Sequence, residues 1–435
     1  MPAAIVALMI SVGVVATAQT DSGPSFRRVT LNDVLRAATT NNPLVEAALA
    51  RLRAARGSRR AAGAFPNPTV TYQVENSAYP GRDAPPGLDK ETSTFAAFPL
   101  EFLYQRGPKV SRAEAEMRAA EAALERARWS VALDAGRAYY RLALAKLALE
   151  TSLEVRKGLQ ELEEYNRARA AEGVASEGDA LRARVEVDRA FLEESLERIE
   201  LNRAQAELAP FLGRESGSAA GSVVEPAFSP EALESELIPR REQILEEARN
   251  RHPEVREARA RLDAARFETA YQQTLRLRQV GFTFGNKRIA GSNSMIAGIS
   301  LPLPLMDRNR GEIERASAER DARELELAWA ERTVVARLAA AWDSVQSLSG
   351  PPDGHLLERA DETRKIALAA YREGAVSLLQ VLDATRGVGE TRRVYYRTLT
   401  ARAESLLELK TVTAGGIAAL LDAADATQPS KKEKR

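Results

Sequence analysis

Asn42-Pro43-Leu44-Val45 and His252-Pro253-Glu254-Val255 stand 210 positions apart, and the same offset carries Leu35 onto Leu245, Ala50 onto Ala260, Leu52 onto Leu262 and Ala55 onto Ala265. Self-similarity over half a chain marks one structural unit duplicated and fused. Each copy reads as helix, two short strands, a very long helix, a turn and a long helix. Function is therefore expected in how the copies assemble. The offset divides the chain into a first repeat at 19–212 and a second at 241–415, flanked by a leader at 1–18 and a polar tail at 416–435. The join at 213–240, rich in Gly, Ser, Pro and Glu, predicts irregular structure midway along a rod.

The helices carry coiled-coil spacing. Ala113, Met117, Ala120, Leu124, Ala127 and Val131 alternate steps of three and four, then a step of four leads to Ala135 before Ala138, Leu142, Ala145 and Leu149. Leu327, Ala330, Val334, Leu338, Ala341, Val345 and Leu348 repeat that pattern, each 203 residues after its counterpart. This is a heptad seam with one stutter, which locally unwinds the supercoil. A helix from Gly107 to Glu172 would be on the order of 100 Å long, beyond the needs of a globular domain. In copy two, Ser349-Gly350-Pro351-Pro352-Asp353-Gly354 must break the corresponding helix, because consecutive prolines remove donors and clash with the preceding turn. An Ala-rich seam suits a ring of helices, and an ordinary intermolecular coiled coil is the competing reading.

Composition narrows the function. Only 6% of the 435 residues are aromatic, against a compact enzyme core, and the net charge of +1 gives no basic field for nucleic acid. Ile5 to Val15 is too short to span a bilayer, and Ala16-Thr17-Ala18 before Gln19 matches a small-residue cleavage site, so a secretory signal ending near Ala18 is expected. With Cys 0 there is no disulfide framework and no thiol for lipid attachment.

Strands decide the environment. Val70, Tyr72 and Val74 alternate with Thr71, Gln73 and Glu75; Val280, Phe282 and Phe284 alternate with Gly281, Thr283 and Gly285. Period two predicts strands near 67–79, 90–102, 278–288 and 293–303, as two hairpins, the second turning at Gly291-Ser292-Asn293. Four strands cannot close a membrane barrel, which needs about eight so that no edge faces lipid. Three protomers would supply twelve. The predicted fold is thus mainly α with a small β part: duplicated helical hairpins in a trimeric helical barrel, completed by a 12-stranded membrane β-barrel. The alternative is a secreted periplasmic coiled-coil scaffold whose hairpins only cap helix ends.

The duplicated plan, Phe65-Pro66-Asn67-Pro68 through Val74-Glu75-Asn76, Ile299-Ser300-Leu301-Pro302-Leu303-Pro304-Leu305-Met306-Asp307-Arg308-Asn309-Arg310-Gly311, and Tyr371-Arg372-Glu373-Gly374 through Val381-Leu382-Asp383-Ala384 resemble the TolC-type outer membrane efflux proteins. The first two segments look most like the CzcC-like branch serving heavy-metal RND pumps. The resemblance covers about Leu31 to Gly415. It implies a passive homotrimeric conduit spanning outer membrane and periplasm, meeting a periplasmic adaptor protein and an inner-membrane pump of RND type. By the same resemblance Gly173, Val174, Ala175 and Ser176, with Gly374, Ala375, Val376 and Ser377 at an offset of 201, are adaptor-docking tips. Each glycine is expected to end a helix and each serine to cap the next. The resemblance also makes Asp383, Gln380 and Asp179 pore-constricting residues and Tyr371 a tether of the closed state, with Gln380 standing where a carboxylate is expected. An acid in a first helical turn is stabilised by the macrodipole by ~0.3–1 kcal/mol whatever its function. Three copies of one acid around an axis would attract cations.

Catalytic and metal readings find little support. The two histidines, His252 and His355, have no ligand pattern beside them. Asp307-Arg308-Asn309-Arg310-Gly311 has its glycine one place early for a calcium loop and reads as a helix start capped by Asp307 or Asn309. No phosphate loop or dinucleotide glycine pattern occurs, so no enzyme activity, cofactor or resident metal is predicted. A periplasmic metal-binding protein conflicts with zero cysteines and five methionines.

Overall fold

The computed structural model describes residues 27–78, 87, 89–174, 176–212, 224–226, 240–348 and 355–413. The leader at 1–18, Tyr79, the Pro-Pro break at 349–354, the tail at 416–435 and most of the linker lie outside them.

The first repeat runs β1 (Arg27–Val29), α1 (Leu31–Thr40), α2 (Pro43–Gly63), β2 (Thr69–Glu75), β3 (Glu91–Pro99), α3 (Phe102–Ala171) and α4 (Glu177–Leu208). After β4 (Val224–Pro226), the second runs α5 (Arg241–Arg251), α6 (Pro253–Thr274), β5 (Gly281–Ile289), β6 (Ser292–Ser300), α7 (Arg310–Ser347), α8 (Leu356–Arg372) and α9 (Leu378–Thr413). The 70 residues of α3 make a rod about 105 Å long. Its partner in the second copy is two helices, α7 and α8, on either side of the prolines.

Three expectations change. The long helix begins at Phe102, not Gly107, because the added turn is anchored from outside: Tyr104 Oη and Gln105 Nε2 both donate to the Leu277 carbonyl at 2.9 Å. The linker is not wholly irregular, since β4 pairs in parallel with β1. The second hairpin turns on two residues, Ala290 and Gly291, both with positive φ, so Ser292 and Asn293 already belong to β6. A two-residue turn of that hand matches the natural strand twist.

The stuttered seam is the core. Leu124, Val131, Ala135, Ala138 and Leu142 of α3 bury with Leu35, Val45 and Leu52 from α1 and α2, while Val334, Leu338, Ala341 and Val345 of α7 bury with Ile244 and Val255. Helix α9 joins the two copies, placing Ala403 and Leu407 in the first cluster and Leu406, Leu409 and Val412 in the second. Small residues let these axes approach: a methyl group on Gly136 would lie 2.3 Å from a Leu407 methyl.

The two hairpins join edge to edge into one antiparallel sheet, ordered β2-β3-β5-β6, with Phe95 opposite Gly285 and Phe98 opposite Phe282. Pairing in register puts Val70, Tyr72, Ala96, Phe98, Phe282, Phe284, Met295, Ala297 and Ile299 on one face. Most of that face is exposed, Met295 at 72% and Ile299 at 76%. The opposite face carries Thr69, Thr71, Gln73, Ser93, Thr283, Lys287 and Ser294, with Phe95, Ala97 and Ile296 among them. A sheet whose large apolar side chains are bare on one face, with a more polar face opposite, inverts the soluble arrangement and suits a lipid exterior around a wet interior. β2 and β6 remain open edges within one protomer.

Candidate functional site

At the end of the rod remote from the sheet, α3 turns into α4 and α8 into α9 through the same local chemistry. In the first turn Gly173 N–H donates to the Ala170 carbonyl at 3.0 Å and Val174 N–H to Arg169 at 2.9 Å; in the second Gly374 donates to Tyr371 at 3.0 Å and Ala375 to Ala370 at 2.9 Å. This double closure of a helix end requires a left-handed residue at its pivot, and both glycines supply it with φ of +74° and +76°. The restarts differ. Ser176 Oγ accepts from Gly178 N–H at 3.1 Å, as expected, but Ser377 departs from the expected serine cap: its N–H donates to the Gln380 side-chain oxygen at 3.0 Å, because a glutamine three residues on can reach back to it. Val174 and Ser176, like Gly374, Ala375 and Ser377, are exposed and Val376 is half-buried. Ala175 lies outside the described residues.

Behind the turns an apolar cluster holds the four helices together: Leu159 and Leu162 from α3, Val187 and Ala190 from α4, Tyr371 from α8, and Leu378, Val381 and Leu382 from α9. Within it the Tyr371 hydroxyl donates to Asn166 Oδ1, and Asn166 Nδ2 donates to the Leu162 carbonyl at 2.8 Å. Asn166 is fully buried, so Tyr371 satisfies an oxygen that would otherwise lack a partner. Burial pushes the Tyr371 phenol upward despite this bond. Asn166 was not singled out from the sequence; a lone amide in an apolar seam was the available signal, but its partner lies 205 residues away.

The acids divide. Asp179 occupies the first turn of α4, half-buried, close enough to Tyr371 to raise its pKa further. Gln380 and Asp383 are exposed on α9. Asp383 has a cation beside it, Arg386, whose Nε donates to Glu186 of α4 at 3.1 Å. Arg386 escaped the sequence reading, and it offsets part of the charge that Asp383 brings. Further up the rod, Arg392 Nη2 meets Asp361 of α8 at 2.8 Å and also bonds Glu154 of α3; Arg393 Nη2 meets Ser152 of α3 at 3.0 Å and Glu193 of α4 at 3.3 Å. Two adjacent arginines thus tie α9 to three neighbours at one level.

Among the described residues no group of three His, Asp or Glu side chains could hold a metal ion, and no helix is long and apolar enough to cross a membrane. His252 serves as a cap: Nδ1 accepts from Glu254 N–H at 3.2 Å, as Asn42 Oδ1 accepts from Leu44 N–H at 2.9 Å. His355 is exposed and pairs with Glu358. Asp307 Oδ1 caps Asn309 N–H at 2.9 Å, but Asn309 is not a side-chain cap: buried and left-handed, it donates Nδ2 to the Gln272 carbonyl at 2.7 Å and fastens α7 to α6.

Comparison with known proteins gives this geometry a context. The outer membrane efflux protein family matches residues 34–214 and 244–415, one span in each repeat. The cobalt-zinc-cadmium resistance protein CzcC of Cupriavidus metallidurans is 26% identical over 410 residues, covering 88% of this chain and 92% of its own. The nickel and cobalt resistance protein CnrC of the same organism is 25% identical over 311 residues, 69% and 71% of the two chains. In fold, the outer membrane protein VceC of Vibrio cholerae superposes with a TM-score of 0.72 at 21% identity, over 89% of this chain and 96% of that one. With both repeats matched, an apolar sheet bare on its outer face and a helical rod below it, the chain belongs to the outer membrane efflux protein family and is an outer membrane efflux channel with a periplasmic helical domain.

Proposed function

We propose that three copies assemble into a passive exit duct, twelve strands closing the membrane barrel and the helices closing a periplasmic tunnel, and that an adaptor protein and an inner-membrane pump of RND type drive substrate through it. The observation that carries this reading is the sheet: bare and rich in large apolar side chains on one face, more polar on the other, and open at both edges. An exposed apolar stripe along α4, Leu181, Val185, Leu192 and Ile199, supports the trimer by offering a seam for a second protomer. The chain itself contributes no chemistry; energy enters from the pump. Residues 19–212 and 241–415 act as the two repeats, 213–240 as the link between them, 1–18 as a removable leader and 416–435 as a polar tail.

The cargo we assign is heavy-metal cations, in line with the resistance named for CzcC and CnrC. A strain lacking this chain is expected to lose resistance to cobalt, zinc, cadmium or nickel salts; loss of drug resistance alone would overturn the assignment. In this reading the turns around Gly173–Ser176 and Gly374–Ser377 dock the adaptor. Asp383, with Gln380 and Asp179, narrows the aperture, and Tyr371 holds it shut through Asn166. Replacing Asp383 with Ala is expected to weaken block of single-channel current by multivalent cations several-fold. Unchanged block would remove Asp383 from the pore.

A further inference from the structure

Immediately below the apolar sheet the charge pattern changes. Along the rod, arginines close on glutamates, as Arg112 does on Glu268, Arg137 on Glu408 and Arg337 on Glu254. At the junction of sheet and helices, Arg60, Arg106, Lys109, Arg276, Arg308 and Arg310 are exposed, and none has a carboxylate partner among the described residues. All six lie within ten residues of a strand end, on four different segments: the end of α2, the start of α3, the end of α6 and the start of α7. Topology therefore gathers cations that are scattered in sequence onto one level. The opposite end of the sheet carries fewer cations among the described residues: there Lys287 is paired with Glu91, and Lys90 and Arg288 are exposed.

Part of this belt is shaped as a cleft of about 590 Å³ between α2 and α3, lined by Arg59, Arg60, Gly63, Arg106, Gly107 and Ser111. Two of its cations are held in place. Arg106 Nε donates to the Gly63 carbonyl at 3.1 Å while its guanidinium lies 4.8 Å from the centre of the Phe65 ring, and Arg59 is fixed by Glu114 at 2.9 Å. Arg59 uses its Nε and Nη2 donors on Glu114, whereas Arg106, held by a carbonyl and an aromatic face and by no carboxylate, keeps its remaining N–H groups preorganised for a phosphate. Beside the belt, Leu303, Leu305 and Met306 are bare just before Arg308 and Arg310. Apolar side chains followed by arginines are the pattern of a segment lying across a hydrocarbon–headgroup boundary.

We propose that this cleft, with the cation belt around it, binds the phosphate of anionic phospholipid headgroups in the periplasmic leaflet of the outer membrane, seating the channel at a fixed depth. The inference rests on the sheet entering lipid. The arginines sit where headgroup phosphates lie if the row Phe98–Phe282–Ile299 marks the lower limit of hydrocarbon.

The test uses the full-length protein purified as a membrane-inserted assembly, stripped of lipid and titrated with phosphatidylglycerol or phosphatidylethanolamine while bound lipids are counted by native mass spectrometry. Phosphatidylglycerol is expected to bind more tightly, and Arg60→Gln, whose side chain makes no packing contact with the core clusters, is expected to weaken it about fivefold. Arg60→Gln together with Arg106→Gln is expected to weaken it further, with assembly mass and helical content unchanged. Equal binding of the two lipids, or unchanged binding by both variants, would overturn the proposal. Displacement of the lipid by millimolar inorganic phosphate would also overturn it in favour of a free-anion site. A protein that fails to insert at all overturns the barrel and this inference together, whereas an inserted assembly indifferent to headgroup charge overturns this inference alone.

Discussion

Asn42 and His252 cap equivalent helices with different chemistry, and the difference carries a pH dependence. The His252 ring is fully buried, stands edge-on to Trp129 at 4.7 Å between centres, and has the Arg337 guanidinium 3.4 Å from Nε2. Burial first, then Arg337 and Arg126, pushes its pKa down to about 3. Between that value and about 6.5 the unfolded chain binds a proton that the folded one refuses, so this contribution is complete above pH 6.5 and declines as pH falls toward 3. The decline is ~1.4 kcal/mol per pH unit, or about 2 kcal/mol at pH 5. His252→Asn copies the cap of the other repeat and removes the titration. Its thermal unfolding midpoint is expected to fall less between pH 7 and pH 5 than that of the unchanged protein, and parallel curves would locate the acid sensitivity elsewhere. The repeat alignment made Asn42 and His252 legible as offset mates, and the capping bonds themselves emerge from the structure. The ring's protonation was not legible, because Trp129, Arg126 and Arg337 come from distant parts of the sequence. Tyr371 and Asn166 differ in the same way: the tyrosine stood in a recognisable segment, and its buried partner did not.

At the scale of elements, the sheet depends on one close approach that no hydrophobic pattern reveals. A methyl group added to Gly285 would lie 2.3 Å from the Thr94 carbonyl oxygen and 2.4 Å from Phe95 Cβ. The nearest obstacle is backbone, which cannot rotate away as a side-chain tip can. Gly285→Ala is therefore expected to disturb the pairing of β3 with β5, the only ladder joining the two repeats' hairpins among the described residues. Assembled, heat-resistant oligomer on a gel is expected to fall severalfold while the helical signal of the protomer is largely kept; wild-type assembly would show that the strands absorb the strain. Alternation of apolar and polar residues sufficed to place strands, and Gly-x-x-Ser sufficed to place the helix turns, because both are local effects. Edge-to-edge union of the hairpins is a contact across nearly 200 residues, and the extra turn at Phe102–Arg106 depends on the Leu277 carbonyl. Tertiary partners of this kind leave no periodic mark.

For the whole molecule, two features of one protomer remain unsatisfied: a sheet with both edges open and a helix whose outer stripe is apolar. An open edge cannot stand in lipid, where every backbone donor and acceptor must be paired. Four strands per copy therefore demand further copies, and three meet the demand with a twelve-stranded barrel. The stripe on α4 asks for a partner at the same time, since Val185, Leu192 and Ile199 recur every seven residues, with Leu181 four before Val185 and Asp188 and Ser195 at the alternate positions. The four apolar residues are each about half or more exposed. Ala183, Val187 and Ala190, on the other side of that helix, already bury within the protomer. A charge on the outer stripe thus separates assembly from folding. Val185→Glu together with Leu192→Glu is expected to reduce the detergent-corrected mass from three chains toward one and abolish conductance, leaving the helical content of each chain intact. A double variant that stays trimeric would show that α4 faces solvent or adaptor rather than a second protomer, and the ring of helices would then have to close through α7, where Leu325 and Trp329 are also bare.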